Sequence, residues 1–312
     1  MEVTRGFCYG VISNGENGNI VKGTWRGHWR RRIVLLLWVA VSSQALAGPQ
    51  QGLLWRVDDG RGHVSHLLGT IHVGDPRVLA LPAPIREAFD ASRTFCAEVR
   101  LDMASLAGLS QAMLLPAGES LRERLDAQTW AALLAVSAEL GMPEMMLERM
   151  KPWAVATLLS QPRMAEPVLD LQLYRQAAAA GKALCGLETT GEQLGALEAL
   201  SPAQQVAMLR SAIRQVPQLE QMVEKLIRAW LARDLAALER LSAEAMTGED
   251  PDMAKAFERE VVIRRNRRMV ERMAPKLAEG AVFIAVGALH LSGEEGILEQ
   301  LRERGYGVTA VY

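Results

Sequence analysis

Two histidines of this 312-residue chain stand in the same local setting. His63–His72 reads HVSHLLGTIH and Ala281–His290 reads AVFIAVGALH, each an apolar run followed by glycine, two residues and histidine. Glycine accepts backbone angles closed to other residues, so a strand that enters Gly69 or Gly287 can turn sharply there. The imidazoles of His72 and His290 then emerge just past the carboxyl ends of their strands. Glu98 and Glu188 close two further apolar runs, Phe95-Cys96-Ala97 and Leu184-Cys185-Gly186-Leu187. In open α/β sheets ligands gather where the carboxyl ends of strands meet. Two imidazoles with one or two carboxylates supply the nitrogen and oxygen ligands of a catalytic metal, with positions left over for water. A plainer arrangement suits the same residues, in which each imidazole packs at a strand end and donates to a backbone carbonyl. Spacing alone does not choose between the two.

The elements that must position these residues follow from hydrophobic periodicity. Leu53–Val57 and Val64–Leu68 form a hairpin pattern around Asp58-Asp59-Gly60. Thr94–Val99, Ala183–Leu187, Val282–Val286 and Gly307–Val311 read as further strands. Pro84 suits the first turn of a helix through Ala91, and Asp126 suits the cap of one that runs to Leu140 and stops at Gly141. From Ser201 to Gly280 almost everything is helical; Leu219, Met222, Val223, Leu226, Ile227, Trp230 and Leu231 make an apolar stripe at core-packing spacing. The expected fold is α/β: a small central sheet, strand–helix units at both ends, and a large helical insertion. Residues 48–312 are expected to be one domain, with 200–280 as its helical subdomain.

Composition bounds the function. The net charge of −1 gives the whole molecule no pull toward nucleic acid, which is not expected as a partner. Arg30-Arg31-Arg32, the apolar run Ile33–Val41 and Ala45-Leu46-Ala47 are the three parts of a secretory signal peptide. Residues 1–47 are therefore read as an N-terminal extension and signal peptide cleaved near Ala47. The mature protein is expected outside the cytoplasm, in the periplasm, with no transmembrane span. Cys96 and Cys185 would remain after cleavage; an oxidising compartment allows them one disulfide, but two small buried residues is the reading favoured here. His63 and His66 read as surface or edge residues without partners, and Trp153 as a packing anchor.

The run Arg264–Arg268 is resolved by helical geometry. Asn266 lies four residues after Val262 and three before Met269, among the inward apolar positions. Arg265 flanks that stripe, and Arg264, Arg267 and Arg268 fall on the outer side. A buried arginine needs an anionic or carbonyl partner, so Arg265 either pairs with a site carboxylate or polarises a substrate carbonyl.

Several blocks together resemble one family. LLGTIHVGDP (Leu67–Pro76), CAEV (Cys96–Val99), MKPWAVATLL (Met150–Leu159), GLETTGEQLGAL (Gly186–Leu197), RRNRRM (Arg264–Met269) and FIAVGALHLSGEEGILEQLRERGYGV (Phe283–Val308) occur in the order seen in TraB/GumN (TraB/PrgY) proteins and their animal relatives, the Tiki proteases. The resemblance implies an EreA/ChaN-like fold, shared with erythromycin esterase and the haem-associated ChaN proteins. It also implies a metal-dependent hydrolase acting on peptides or proteins. His72, Glu98 and His290 are the implied ligands of a divalent metal (Mn, Co or Zn). Glu98, His72 and Arg265 are the implied catalytic residues, and Gly69, Gly287, Glu188 and Asn266 are further motif residues. Where many relatives carry Gly-Ile-Asp this chain has Val168-Leu169-Asp170, which weakens a role for Asp170. The rival reading is a non-catalytic envelope protein that binds haem, a metal or a peptide with the same residues. Homo-oligomerisation is left open.

Overall fold

In the computed structural model the described residues are 51–100, 103–245 and 251–312; the expected signal peptide lies outside them. Six strands form one mixed sheet: β1 (Leu54–Asp58), β2 (Val64–Thr70), β3 (Thr94–Val99), β4 (Ala183–Glu188), β5 (Val282–Gly287) and β6 (Gly307–Ala310). All six runs expected from the sequence are strands, with ends shifted by a residue or two. Their order across the sheet is β4-β3-β5-β2-β1-β6. β2, β5, β3 and β4 pair in parallel, and β1 runs against both β2 and β6. Four carboxyl ends therefore lie side by side at one edge of the sheet.

The β1–β2 hairpin turns where acceptors and glycines cluster. Asp58 accepts the Gly60 N–H, Asp59 accepts those of Arg61 and His63, and Gly60 takes φ +70°. His63 lies in this turn rather than in a strand, with its Nδ1 2.7 Å from Asp59, so it is not partnerless as expected. His66 sits within β2, which is interior to the sheet, and is half-buried rather than at an edge.

Helices cover the sheet as the sequence pattern requires. Asp126 caps Ala127–Glu139 by accepting the Thr129 N–H at 2.8 Å, and Gly141 ends that segment at φ +69°. Helices from Met103 to Ala179 connect β3 to β4, and helices from Thr190 to Glu279 connect β4 to β5. The core holds two apolar clusters. One joins both faces of the sheet region, with Phe95 and Phe283 stacked at 6.3 Å and Phe89 edge-on to both. The other gathers Leu121, Trp130, Leu133, Leu147, Trp153 and Leu209 among the connecting helices, so Trp153 is a packing anchor. The stripe on Leu219–Leu231 buries Val223, Ile227 and Trp230 against the first cluster, while Leu231 at the helix end remains exposed. Trp230 also donates from its indole to the Gly69 carbonyl at 2.9 Å, tying this helix to β2.

One expectation about the cysteines is corrected. Cys96 and Cys185 are direct register partners on β3 and β4, and they form a disulfide. Strand order, which periodicity does not reveal, brings them opposite each other.

Candidate functional site

Each expected ligand leaves the carboxyl edge of the sheet on a different strand. His72 follows β2 by two residues, Glu98 is the penultimate residue of β3, and His290 ends a short 3-10 turn, Ala288–His290, after β5. Because β5 lies between β2 and β3, the three meet around its last residue, Gly287. A methyl group placed on Gly287 would lie 3.3 Å from Glu98 Oε1, 3.6 Å from His290 Cδ2 and 3.8 Å from His72 Nε2.

Gly287 has φ −54°, and Gly69 lies within β2, so neither supplies the sharp left-handed turn expected of it. Both supply space instead. At Gly69 a methyl would stand 2.7 Å from the Leu291 side chain and 3.2 Å from Ala288 Cα, in the path of the turn that carries His290. The missing Cβ is what lets that turn close onto β2.

The histidines are held alike. His72 Nδ1 lies 2.8 Å from Asp170 Oδ2, while the other Asp170 oxygen accepts the Thr70 hydroxyl at 2.6 Å. His290 Nδ1 lies 2.6 Å from Asn266 Oδ1. The Asn266 amide nitrogen donates to the Glu295 carbonyl at 2.8 Å, which fixes the amide with its oxygen toward the imidazole. An acceptor at each Nδ1 places a ring proton there and turns Nε2 toward the shared space, where it offers a lone pair once the ring is neutral. The His72 side chain remains 58% exposed, whereas His290 is at 10%.

Glu98 is the most heavily engaged group. Oε1 accepts the Gly287 N–H at 2.7 Å and faces His290 Nε2 at 3.9 Å. Oε2 accepts from Arg265 at 2.5 Å and from Gln193 at 3.0 Å. Arg265 spans two carboxylates, since its Nε donates to Glu188 at 2.7 Å. The other Glu188 oxygen accepts from Arg268 at 2.8 Å, and the Glu188 side chain is wholly buried. Arg268 thus departs from the outer-side expectation. The helix Arg264–Glu279 passes β4 closely enough for a flank position to reach inward.

Charge sets the protonation of these groups. Burial acts to raise the Glu98 pKa, but His290, Arg265 and His72 outweigh it and bring it to about 2. The Asp170 carboxylate raises His72 to about 9 against some desolvation. Burial lowers His290 to about 4, with Arg265 and His72 in the same direction and Glu98 opposing. Burial pushes Glu188 above the ordinary carboxylate range, with Arg265 opposing.

The donor set of His72, His290 and Glu98 fits a divalent cation in type. The two Nε2 atoms and a carboxylate oxygen with a spare lone pair face one space, and outer partners orient both rings. His290 is neutral there, whereas His72 would give up its Nε2 proton to an incoming cation. The spacing is loose. Donors sharing one tetrahedral ion at roughly 2.1 Å each stand about 3.4 Å apart, so Glu98 and His290 must draw slightly closer. Among the described residues no three His, Cys, Asp or Glu side chains are drawn together tightly enough to hold an ion as they stand.

Asp170 and Gln193 were not singled out as site residues by sequence reasoning. Asp170 falls in the first turn of the helix Leu169–Ala179, and Gln193 lies on Thr190–Glu198. The Asp at that place in a family motif was the one available signal for Asp170, and the altered residues before it obscured it. Nothing local marks Gln193.

Comparison with known proteins gives the family. Metalloprotease TIKI1 of Danio rerio is 27% identical over 83% of this chain and 64% of its own length, so the chain spans under two thirds of that relative. An uncharacterized protein of Treponema pallidum (strain Nichols) is 25% identical over 83% of each chain. YbaP of Escherichia coli (strain K12), also uncharacterized, is 23% identical over 76% of this chain and 87% of its own. No solved structure matches the chain. The model of the TraB/PrgY/gumN family matches residues 53–310, nearly all of what the structure describes, and the chain belongs to that family.

Proposed function

We propose that this protein is a metal-dependent hydrolase acting on peptides outside the cytoplasm, built on an EreA/ChaN-like fold within residues 48–312. The observation that carries the proposal is the convergence of His72 Nε2, Glu98 Oε1 and the His290 ring on the space beside Gly287. His72, His290 and Glu98 are the residues that would hold the cation. Such an ion supplies Lewis-acid polarisation of a carbonyl and acidification of a coordinated water. Asp170 and Asn266 hold the two rings with Nε2 presented. Arg265 and Gln193 hold the Glu98 carboxylate in place and, with it, the ionised form. The open side of His72 leaves room for a peptide to approach. Among the described residues no helix is long and apolar enough to cross a membrane. The disulfide fits an oxidising compartment, and the relatives named as metalloproteases supply the substrate class.

The test is metal content and peptide turnover in His72→Ala, Glu98→Gln and His290→Ala, each checked for folding by circular dichroism. Each variant is expected to take up less manganese, cobalt or zinc and to lose turnover with its fold retained, because the sheet core does not depend on these side chains. Lost folding with unchanged metal content would make them structural residues. A protein that takes up metal yet turns over no peptide would favour the binding-protein reading, which the three donors already on Glu98 also suit.

A further inference from the structure

Beside the site lies a cavity of about 660 Å³, within the range of roughly 300–1,000 Å³ typical of ligand pockets. Its apolar lining includes Phe257, Val262, Ile263 and Leu289, and Leu289 is 42% exposed. Among the described residues its charged lining is one-sided: Glu239, Glu258, Glu294 and Glu295 stand against a single cation, Lys255. Glu295 is matched by Arg267 at 2.9 Å, which still leaves three carboxylates facing Lys255. One wall is the π-helical segment Glu258–Ile263, a local widening frequently found at functional sites.

Asn266 joins this cavity to the metal-site candidate. It lines the cavity, is 1% exposed, and holds His290 Nδ1 at 2.6 Å. Leu289 likewise lines the cavity one residue before His290. A chain segment seated here touches the residue that holds the His290 ring.

We infer that this cavity is the substrate-specificity pocket and that it takes a peptide segment bearing an apolar side chain next to a basic one. The inference rests on the peptidase reading for its substrate class. The apolar walls take the first side chain by excluding water from it. The carboxylate excess selects the second, because like charges placed against it are strongly disfavoured. An acidic neighbour in the peptide meets three carboxylates set against one lysine.

The probes are N-acetylated, C-amidated hexapeptides with Leu-Arg, Leu-Glu or Gly-Arg at the centre and glycine elsewhere. Their binding is measured calorimetrically on the full chain carrying Glu98→Gln, which blocks turnover. Leu-Arg is expected to bind at least about tenfold more tightly than Leu-Glu, a preference that shrinks as salt screens the rim. The double reversal Glu258→Lys with Glu294→Lys, both exposed positions, is expected to abolish or invert that preference. Val262→Trp, which fills the cavity, is expected to weaken both leucine peptides and, made alone in the wild-type chain, to leave metal content unchanged. Equal affinity for Leu-Arg and Leu-Glu, or a preference untouched by the charge reversal, overturns the inference even if Val262→Trp fails to fold. The two readings fail separately. Leu-Arg binding that responds to these variants, without turnover by metal-loaded wild type, removes the peptidase and keeps the pocket. Turnover indifferent to the charge reversal keeps the peptidase and removes the pocket.

Discussion

At the scale of single residues the site depends on what Gly287 lacks. A methyl there sits 3.3 Å from Glu98 Oε1, closer than the carboxylate can accept without moving. Gly287→Ala is expected to leave the thermal midpoint within a few degrees of wild type and to lower metal uptake and turnover by about tenfold or more. Normal turnover in that variant would place the reaction elsewhere. The arginines form a graded series. Arg265→Ala strands two buried carboxylates and is expected to cost about 3–5 kcal/mol in a denaturant titration. Arg268→Ala removes one of two donors to Glu188 and should cost about 1–2 kcal/mol. Arg267→Ala, on an exposed pair with Glu295, should fall near zero. Equal losses from all three would contradict the burial order. The residues legible from sequence were those marked by their own element: His72, Glu98, Glu188 and His290 by their strands, Arg265 and Asn266 by their place on a helix. Asp170 and Gln193 reach their partners across 98 and 95 residues from helices of mixed polarity, and no local pattern encodes that reach.

At the scale of elements, strands were easy to read because each is an apolar run bounded by a turn residue. Their order was not, since a parallel neighbour is chosen by crossover helices rather than by the strand itself. The disulfide belongs to that hidden layer. Replacing Cys96 and Cys185 together by alanine is expected to lower stability by about 2–4 kcal/mol, read as a urea midpoint that no longer responds to reductant. A wild-type midpoint already insensitive to reductant would count against the bridge. The helix Thr190–Glu198 adds a pH-dependent contribution. Arg272 donates twice to Glu192, and with the Thr189 N–H it holds that carboxylate at about 2. A carboxylate with a depressed pKa stabilises the fold fully above its unfolded value of about 4.3 and loses that contribution as pH falls toward 2. Glutamine keeps the capping box but not the charge. Glu192→Gln should therefore be less stable than wild type near pH 7 and show a shallower decline between about pH 5 and 2. Parallel curves would show that the ion pair contributes nothing.

At the scale of the whole molecule, the proposed export accounts together for the basic and apolar segments before Ala47 and for the Cys96–Cys185 bridge, which would close after translocation. Protein recovered from a secreting host is expected to begin at or near Gly48 by N-terminal sequencing, and an intact Ile33–Val41 segment in the membrane fraction would contradict this. The placement of β5 carries a consequence for the order of events in synthesis. β2 and β3 leave the ribosome early, yet they are not neighbours, and the gap between them is filled only when residues 282–287 arrive. A nascent chain of some 280 residues has every helix before β5 and no continuous sheet, and His290 is still to come. Assembly is thus a late, long-range closure of the kind that folds slowly and exposes unpaired edges meanwhile. A chain that stops short of β5, its penultimate strand, therefore carries no assembled site, whatever reaction that site performs.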